Sequence, residues 1–252
     1  MFLILMCMFC CSLLLPGTSG AQGVVTAEEV FQQANDLYKQ REYNRAAEKY
    51  SQLLEKGYES ASLYYNLGNC HFKQGRLGMA IADYLRGQRL NPRNPDIQLN
   101  LRYARTLQVD QEFTRPERSF TGQLFQSLKN DLTLGEILVL ALVLFWLFCA
   151  ALLVRIVKPE WTVFRSIRTG FLILYLLVGL LAVSKYRDVS QSRAVVIAPE
   201  AEATSGPDAG TTLFTLHEGT TGRVQRRQEQ WVQIALPNGL SGWVQRDEVE
   251  VI

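Results

Sequence analysis

The chain of 252 residues has few of the residue types from which catalytic and metal sites are built. It holds two histidines, His71 and His217, and five cysteines. Beyond the N-terminal apolar stretch, which holds Cys7 and Cys10, no CxxC pair and no Cys/His cluster occurs, so the usual zinc spacings are not met in the rest of the chain. GxSxG, HExxH and a glycine-rich phosphate loop are all missing. The net charge is only +2 and the basic residues are scattered, so nothing calls for a nucleic-acid partner. Two acidic pairs, Glu28-Glu29 and Asp247-Glu248, lack an acid/base partner, and the first suits a helix N-terminus. The reading is a protein that binds rather than catalyses, with no cofactor and no metal. Charge is also missing from three apolar stretches, 1–15, 137–154 and 170–183.

The first stretch ends in Pro16-Gly17, and Ser19-Gly20-Ala21 fits a small-x-small cleavage site. Residues 1–21 therefore read as a secretory signal peptide, although no Lys or Arg precedes the apolar run. An uncleaved anchor is the alternative. Cys7, Cys10 and Cys11 lie in this stretch, with too little apolar sequence before them for a lipoprotein. Cys70 and Cys149 remain, one in a helical segment and one in an apolar span, so no disulfide is expected.

Residues 137–154 extend for about 27 Å as a helix, close to the thickness of a bilayer core. Residues 170–183 are fewer, but Thr169 and Ser184 extend them, and Arg168 and Lys185 can snorkel to the two interfaces. We therefore place transmembrane helices at 132–155 and 169–185. The loop between them, 156–168, and its border carry Arg155, Lys158, Arg165 and Arg168 against Glu160, with Trp161 at headgroup level. A short basic loop stays in the cytoplasm, so both flanking regions face outward. Neither apolar stretch, 137–154 or 170–183, contains an acidic or basic residue, which favours anchoring over transport. Residues 110–131 are polar, with Phe120, Leu124, Phe125 and Leu128 at helical spacing. They read as an interfacial helix or as a plain linker.

Shifted by 34 residues, the N-terminal part matches itself. Phe31 falls on Tyr65, Ala34 on Gly68, Asn35 on Asn69 and Tyr38 on Phe72. Lys39-Gln40 falls on Lys73-Gln74, Tyr43 on Leu77, Ala46 on Ala80 and Tyr50 on Tyr84. The small residues belong where two helices cross closely, the tyrosines fill the space beside them, and Pro92 ends a helix. A third copy supplies only its first helix, which is expected to cap the stack with Leu99 and Leu101 turned inward. The pattern Leu67-Gly68, Ala80, Tyr84, Pro92 resembles the tetratricopeptide repeat, over 27–109 with the capping helix. The resemblance implies a peptide-binding face formed by the first helix of each repeat. Its candidates are Phe31, Asn35, Tyr38 and Lys39, then Tyr65, Asn69, Phe72 and Lys73. The rings could equally be intramolecular core. Asn35 and Asn66 match two positions of the family's carboxylate clamp, but Phe31 and Asn100 stand where it needs Lys and Arg.

From residue 191 onward the pattern changes to five short strands with a Pro237-Asn238-Gly239 hairpin turn, and 198–210 reads as a loop. Leu216, Gly219, Val224, Trp231-Val232, Ile234, Gly239 and Gly242-Trp243-Val244 resemble the bacterial SH3-like domain. That resemblance implies a small barrel over 191–252 that binds peptide, peptidoglycan or protein, with Trp231 and Trp243 as surface candidates. The bland reading puts Trp231 in the barrel core.

The fold class is thus a multidomain membrane protein: an all-α tetratricopeptide-repeat solenoid, a two-helix transmembrane hairpin and a small all-β SH3-like barrel. This order of parts resembles the BatE-like proteins of bacterial aerotolerance operons. The resemblance implies a scaffold in the bacterial cytoplasmic membrane with both lobes extracytoplasmic. Its implied partners are von Willebrand factor A-domain membrane proteins and a MoxR-type ATPase system. A cell-envelope sensor that binds peptidoglycan through the SH3-like domain is the alternative.

Overall fold

The computed structural model describes residues 26–111, 131–157, 163–208 and 210–252, with the single positions 122, 125, 127 and 129. The expected signal peptide, most of 110–131 and residues 158–162 of the connecting loop lie outside the described residues.

Helix α1 (Ala27–Lys39) starts at a capping box. The Glu29 N–H donates to the Thr26 hydroxyl, and the Thr26 N–H donates to the Glu29 carboxylate. Helix α2 (Tyr43–Glu55) completes the first pair, and α3 (Ala61–Lys73) with α4 (Leu77–Leu90) form the second. Helix α5 (Pro95–Thr106) begins at Asn94, whose side chain accepts from the N–H groups of Asp96 and Ile97. The turn after α3 needs a left-handed residue and has Gly75 at φ 77°. Its counterpart in the first repeat is Arg41 at φ 65°, a strained conformation for a residue with a Cβ.

Ala34, Ala46 and Ala80 are fully buried, and Tyr50 and Tyr84 nearly so. A Cβ on Gly68 would come within 2.7 Å of the Tyr84 ring, so the α3–α4 crossing depends on glycine there. Helix α5 buries Ile97, Leu101 and Ala104 against α4. Leu99, expected inward, is 58% exposed. The covered stripe of α5 follows the spacing 97, 101, 104, and Leu99 projects from its other side.

Helices α6 (Leu134–Val157) and α7 (Val163–Ser190) pack side by side around Ile137, Leu144, Val178 and Leu181. Both are long and apolar enough to cross a membrane, and only 17% of each apolar window is buried. Leu138, Trp146, Leu176 and Leu180 point away from the pair, unlike the side chains of a core helix in a soluble protein. The start of α6 and the end of α7 lie at the end of the hairpin that meets the repeats. There Arg93, in the α4–α5 turn, pairs with Glu136 at 2.5 Å.

The C-terminal unit is one antiparallel sheet in the order β3-β2-β6-β5-β4-β1-β7. Its strands are β1 (Arg193–Val196), β2 (Glu200–Thr204), β3 (Thr212–His217), β4 (Thr221–Gln228), β5 (Trp231–Ala235), β6 (Ser241–Gln245) and β7 (Val249–Val251). Leu216 of β3 and Val249 of β7 stand at opposite ends of this order yet share one core, so the sheet curls around it. The turn at Pro237-Asn238-Gly239 forms as expected, with Gly239 at φ 91°.

Two expectations are corrected. Residues 200–204, read as loop, form β2, because Ala201 and Ala203 alternate inward while Glu200 and Glu202 face out. The closing segment is broken by a 3₁₀ turn, Arg246–Glu248, into β6 and β7. Seven strands replace five.

Candidate functional site

The first helices of successive copies are joined by a repeating amide network. The Asn35 side-chain oxygen accepts from the Tyr50 hydroxyl at 2.6 Å and from the Asn66 amide at 3.0 Å. One repeat later the Asn69 oxygen accepts from the Tyr84 hydroxyl at 2.7 Å and from the Asn100 amide at 2.8 Å. The network links α1 to α3 and α3 to α5. The clamp positions Asn35, Asn66 and Asn100 are therefore engaged with one another or with Asn69, and the amide oxygens of Asn35 and Asn69 hold the stack together.

Around this network Phe31 lies edge-on to Tyr50 at 5.6 Å, and Tyr65 is tilted against Tyr84 at 6.3 Å. Tyr38 meets Tyr43 at 5.2 Å. The three candidates Phe31, Tyr38 and Tyr65 are only partly covered. Phe72 rests against Tyr103 at 5.7 Å. Lys39 is exposed and paired with Asp36 of its own helix, and Lys73 is exposed. The structure adds two residues that the sequence reading missed, Leu99 and Tyr103, 58% and 56% exposed. They stand one repeat on from Tyr65 and Asn69 and extend the face onto α5.

In the sheet unit, Trp231 is partly exposed, and its indole N–H donates to Asp208 at 2.9 Å. Trp243, offered as a surface residue, is buried at 8% exposure. The burial expected of Trp231 falls on Trp243.

The helical and β units also meet. Asp110, just after the repeats, accepts from the His217 backbone N–H at 2.7 Å and from the Thr220 hydroxyl at 2.7 Å, and it meets His217 Nδ1 at 2.9 Å. The Gln108 amide donates to the Gly219 carbonyl, and the Gly78 N–H donates to Glu218 at 2.8 Å. Arg86 joins Asp83, at 3.2 Å and almost fully buried, to Glu250 of β7. Asp83 also holds His71 Nδ1 at 2.7 Å. Val195 of β1 sits in the same core as Ile81 and Leu85 of α4.

Burial alone would raise the Asp110 pKa. The hydrogen bonds from the His217 backbone, the Thr220 hydroxyl and the His217 ring outweigh burial and hold it below the ordinary value. A depressed carboxyl pKa gives stability that is present above the unfolded value, about 3.9, and lost as pH falls through the folded value. The contact should therefore weaken only below about pH 4. The check is the unfolding midpoint of full-length protein and Asp110→Asn at pH 7 and pH 3.5. The difference between the two should shrink in acid, and a constant difference would show that this carboxylate is not the coupled group.

Burial pushes the Cys70 thiol up to about 12, which makes it an inert core side chain. Among the described residues no group of three or more His, Cys, Asp or Glu side chains could hold a metal ion.

The tetratricopeptide repeat family model matches residues 31–95, from the first turns of α1 to the start of α5. Comparison with curated proteins gives no match. The match covers nearly all of the two helix pairs whose shared face is described above, and repeats of this kind point to protein partners.

Proposed function

We propose that this chain is a membrane-anchored, non-enzymatic scaffold whose extracytoplasmic repeats hold a protein partner on the α1/α3/α5 face. The observation that carries this reading is the amide network. It ties up Asn35 and Asn69 internally and leaves partly exposed rings, Leu99 and the Lys73 ammonium along one continuous face. Such a face suits a peptide or helix with apolar anchors and an acidic group. The basic loop between the spans supports an orientation with both lobes outside, in the bacterial cytoplasmic membrane. The SH3-like reading of the sheet unit and the BatE-like order of parts add the candidate partners: A-domain membrane proteins working with a MoxR-type ATPase.

The test is co-purification of the full-length chain, in mild detergent, with an A-domain membrane protein of the same organism. Leu99→Lys combined with Lys73→Glu changes two exposed side chains and so leaves the fold intact. Capture should fall at least tenfold, as for loss of a central contact (roughly 1.4 kcal/mol or more). Undiminished capture by the double variant would remove the face from the proposal. The sensor alternative rests on Trp231, whose ring stays partly exposed. Co-sedimentation of the full-length protein with purified cell wall, lost in Trp231→Ala, would favour it.

A further inference from the structure

A cleft of about 100 Å³ opens where three elements converge at the repeat-facing end of the hairpin. Helix α4 contributes Arg89, the end of α7 contributes Lys185, and β1 contributes Arg193. Two of these cations, Arg89 and Arg193, are exposed, and none of the three forms an ion pair among the described residues. The nearby acid, Asp188, is already held by Lys129 at 2.6 Å. The Lys185 ammonium donates to the Lys129 carbonyl at 2.7 Å, which holds it in place without neutralising it. The remaining wall is partly apolar, with Leu85, Pro92 and Val189. Three converging cations face one acid of the same cleft, Asp188, which Lys129 already holds, so positive charge remains in excess beside a partly apolar wall and makes a site for an anion with a greasy attachment.

The position of the cleft selects the anion. Lys185 stands at the end of the second apolar span, where a bilayer would place its headgroups. We propose that this cleft binds the phosphate of an anionic phospholipid. Arg89, Lys185 and Arg193 face the phosphate oxygens, and Leu85, Pro92 and Val189 face the glycerol and the first acyl carbons. Guanidinium groups favour phosphate because their N–H donors match its oxygens in pairs. The site would fix the tilt of the two lobes against the membrane surface. It rests on the two-span reading, and the experiment separates the two.

Full-length protein in neutral detergent is titrated with dioctanoyl phosphatidylglycerol, with dioctanoyl phosphatidylcholine and with inorganic phosphate, and bound molecules are counted by native mass spectrometry. One saturable phosphatidylglycerol is expected, with little phosphatidylcholine. Arg89→Gln with Arg193→Gln, both exposed and so tolerated by the fold, should weaken it about thirtyfold, or about fivefold for each cation removed. Arg226→Gln with Arg227→Gln makes the same charge change at exposed positions elsewhere and should leave binding unchanged. Equal binding of the two lipids, or equal loss in both double variants, overturns the site. Inorganic phosphate binding as tightly as the lipid overturns the lipid source and leaves a soluble phosphate as the ligand. A carbonate wash of reconstituted vesicles tests the membrane reading by itself. Protein that washes off refutes the spans, whereas protein that stays but shows no lipid preference refutes only the cleft.

Discussion

Gly78→Leu is expected to loosen the sheet from the helical stack and to lower the stability of the full-length protein by about 1 kcal/mol. A Cβ at position 78 would stand 2.3 Å from the Val196 carbonyl oxygen and 2.9 Å from the Ile197 Cα. Both obstacles are backbone atoms, so neither can swing aside. Overfilling a packed contact costs about 1–3 kcal/mol. A leucine in a helix gains up to about 1 kcal/mol over glycine. The two effects oppose each other, and the sign of the result is informative. Docked units give net destabilisation, together with faster hydrogen exchange in β1 and the first turn of α4. Undocked units would leave only the propensity term, and the variant would be more stable than the parent. Denaturant unfolding in detergent, read alongside exchange, distinguishes the two outcomes.

Arg86→Met should cost more, about 3 kcal/mol. The guanidinium bonds to Asp83, which is 1% exposed, and to Glu250 and the Val251 carbonyl of the last strand. Removing one member of a buried pair leaves the other charge without compensation, typically at a cost of about 3–5 kcal/mol. The value belongs at the lower end because His71 still contacts Asp83. Glu250, with a side chain 32% exposed, loses less, and Glu250→Gln should cost about 1 kcal/mol. A double-mutant cycle between Arg86 and Glu250 then isolates the contact that crosses the two units. A coupling of at least about 0.5 kcal/mol is expected for groups in direct contact. A coupling of zero would mean that the units do not share this bond in solution.

The helical half was legible because its periodicity is local. Small residues at 34, 46, 68 and 80 and tyrosines at 50 and 84 fall where the copies coincide, and the structure buries them all. Leu99 was misplaced because a lone final helix lacks the second helix that would have fixed its inward face. Strand β2 escaped notice because its inward residues are alanines, whose alternation with glutamate resembles a polar loop. Trp243 was misplaced at the surface because both tryptophans sit in alternating strands, and alternation does not say which side a neighbouring element covers.

Whether the two units touch was not legible from what the copies share. The signal lay in what they do not share. Position 37 is leucine where 71 is histidine, and 44 is asparagine where 78 is glycine. Position 49 is lysine where 83 is aspartate, and 52 is glutamine where 86 is arginine. Gly78 and Arg86 contact the sheet directly, and Asp83 and His71 support Arg86 from within the second repeat. An ancestral helix pair can be duplicated freely, but only the copy beside a new neighbour needs these changes.

Gly78 therefore carries a historical consequence. Since Asn44 occupies the same place in the first copy and is exposed, the repeat itself does not require a hydrogen as side chain there. In descendants of this architecture, glycine at that spot should persist only as long as the C-terminal lobe does. A gene that has lost the lobe is free to drift to bulkier residues at this position.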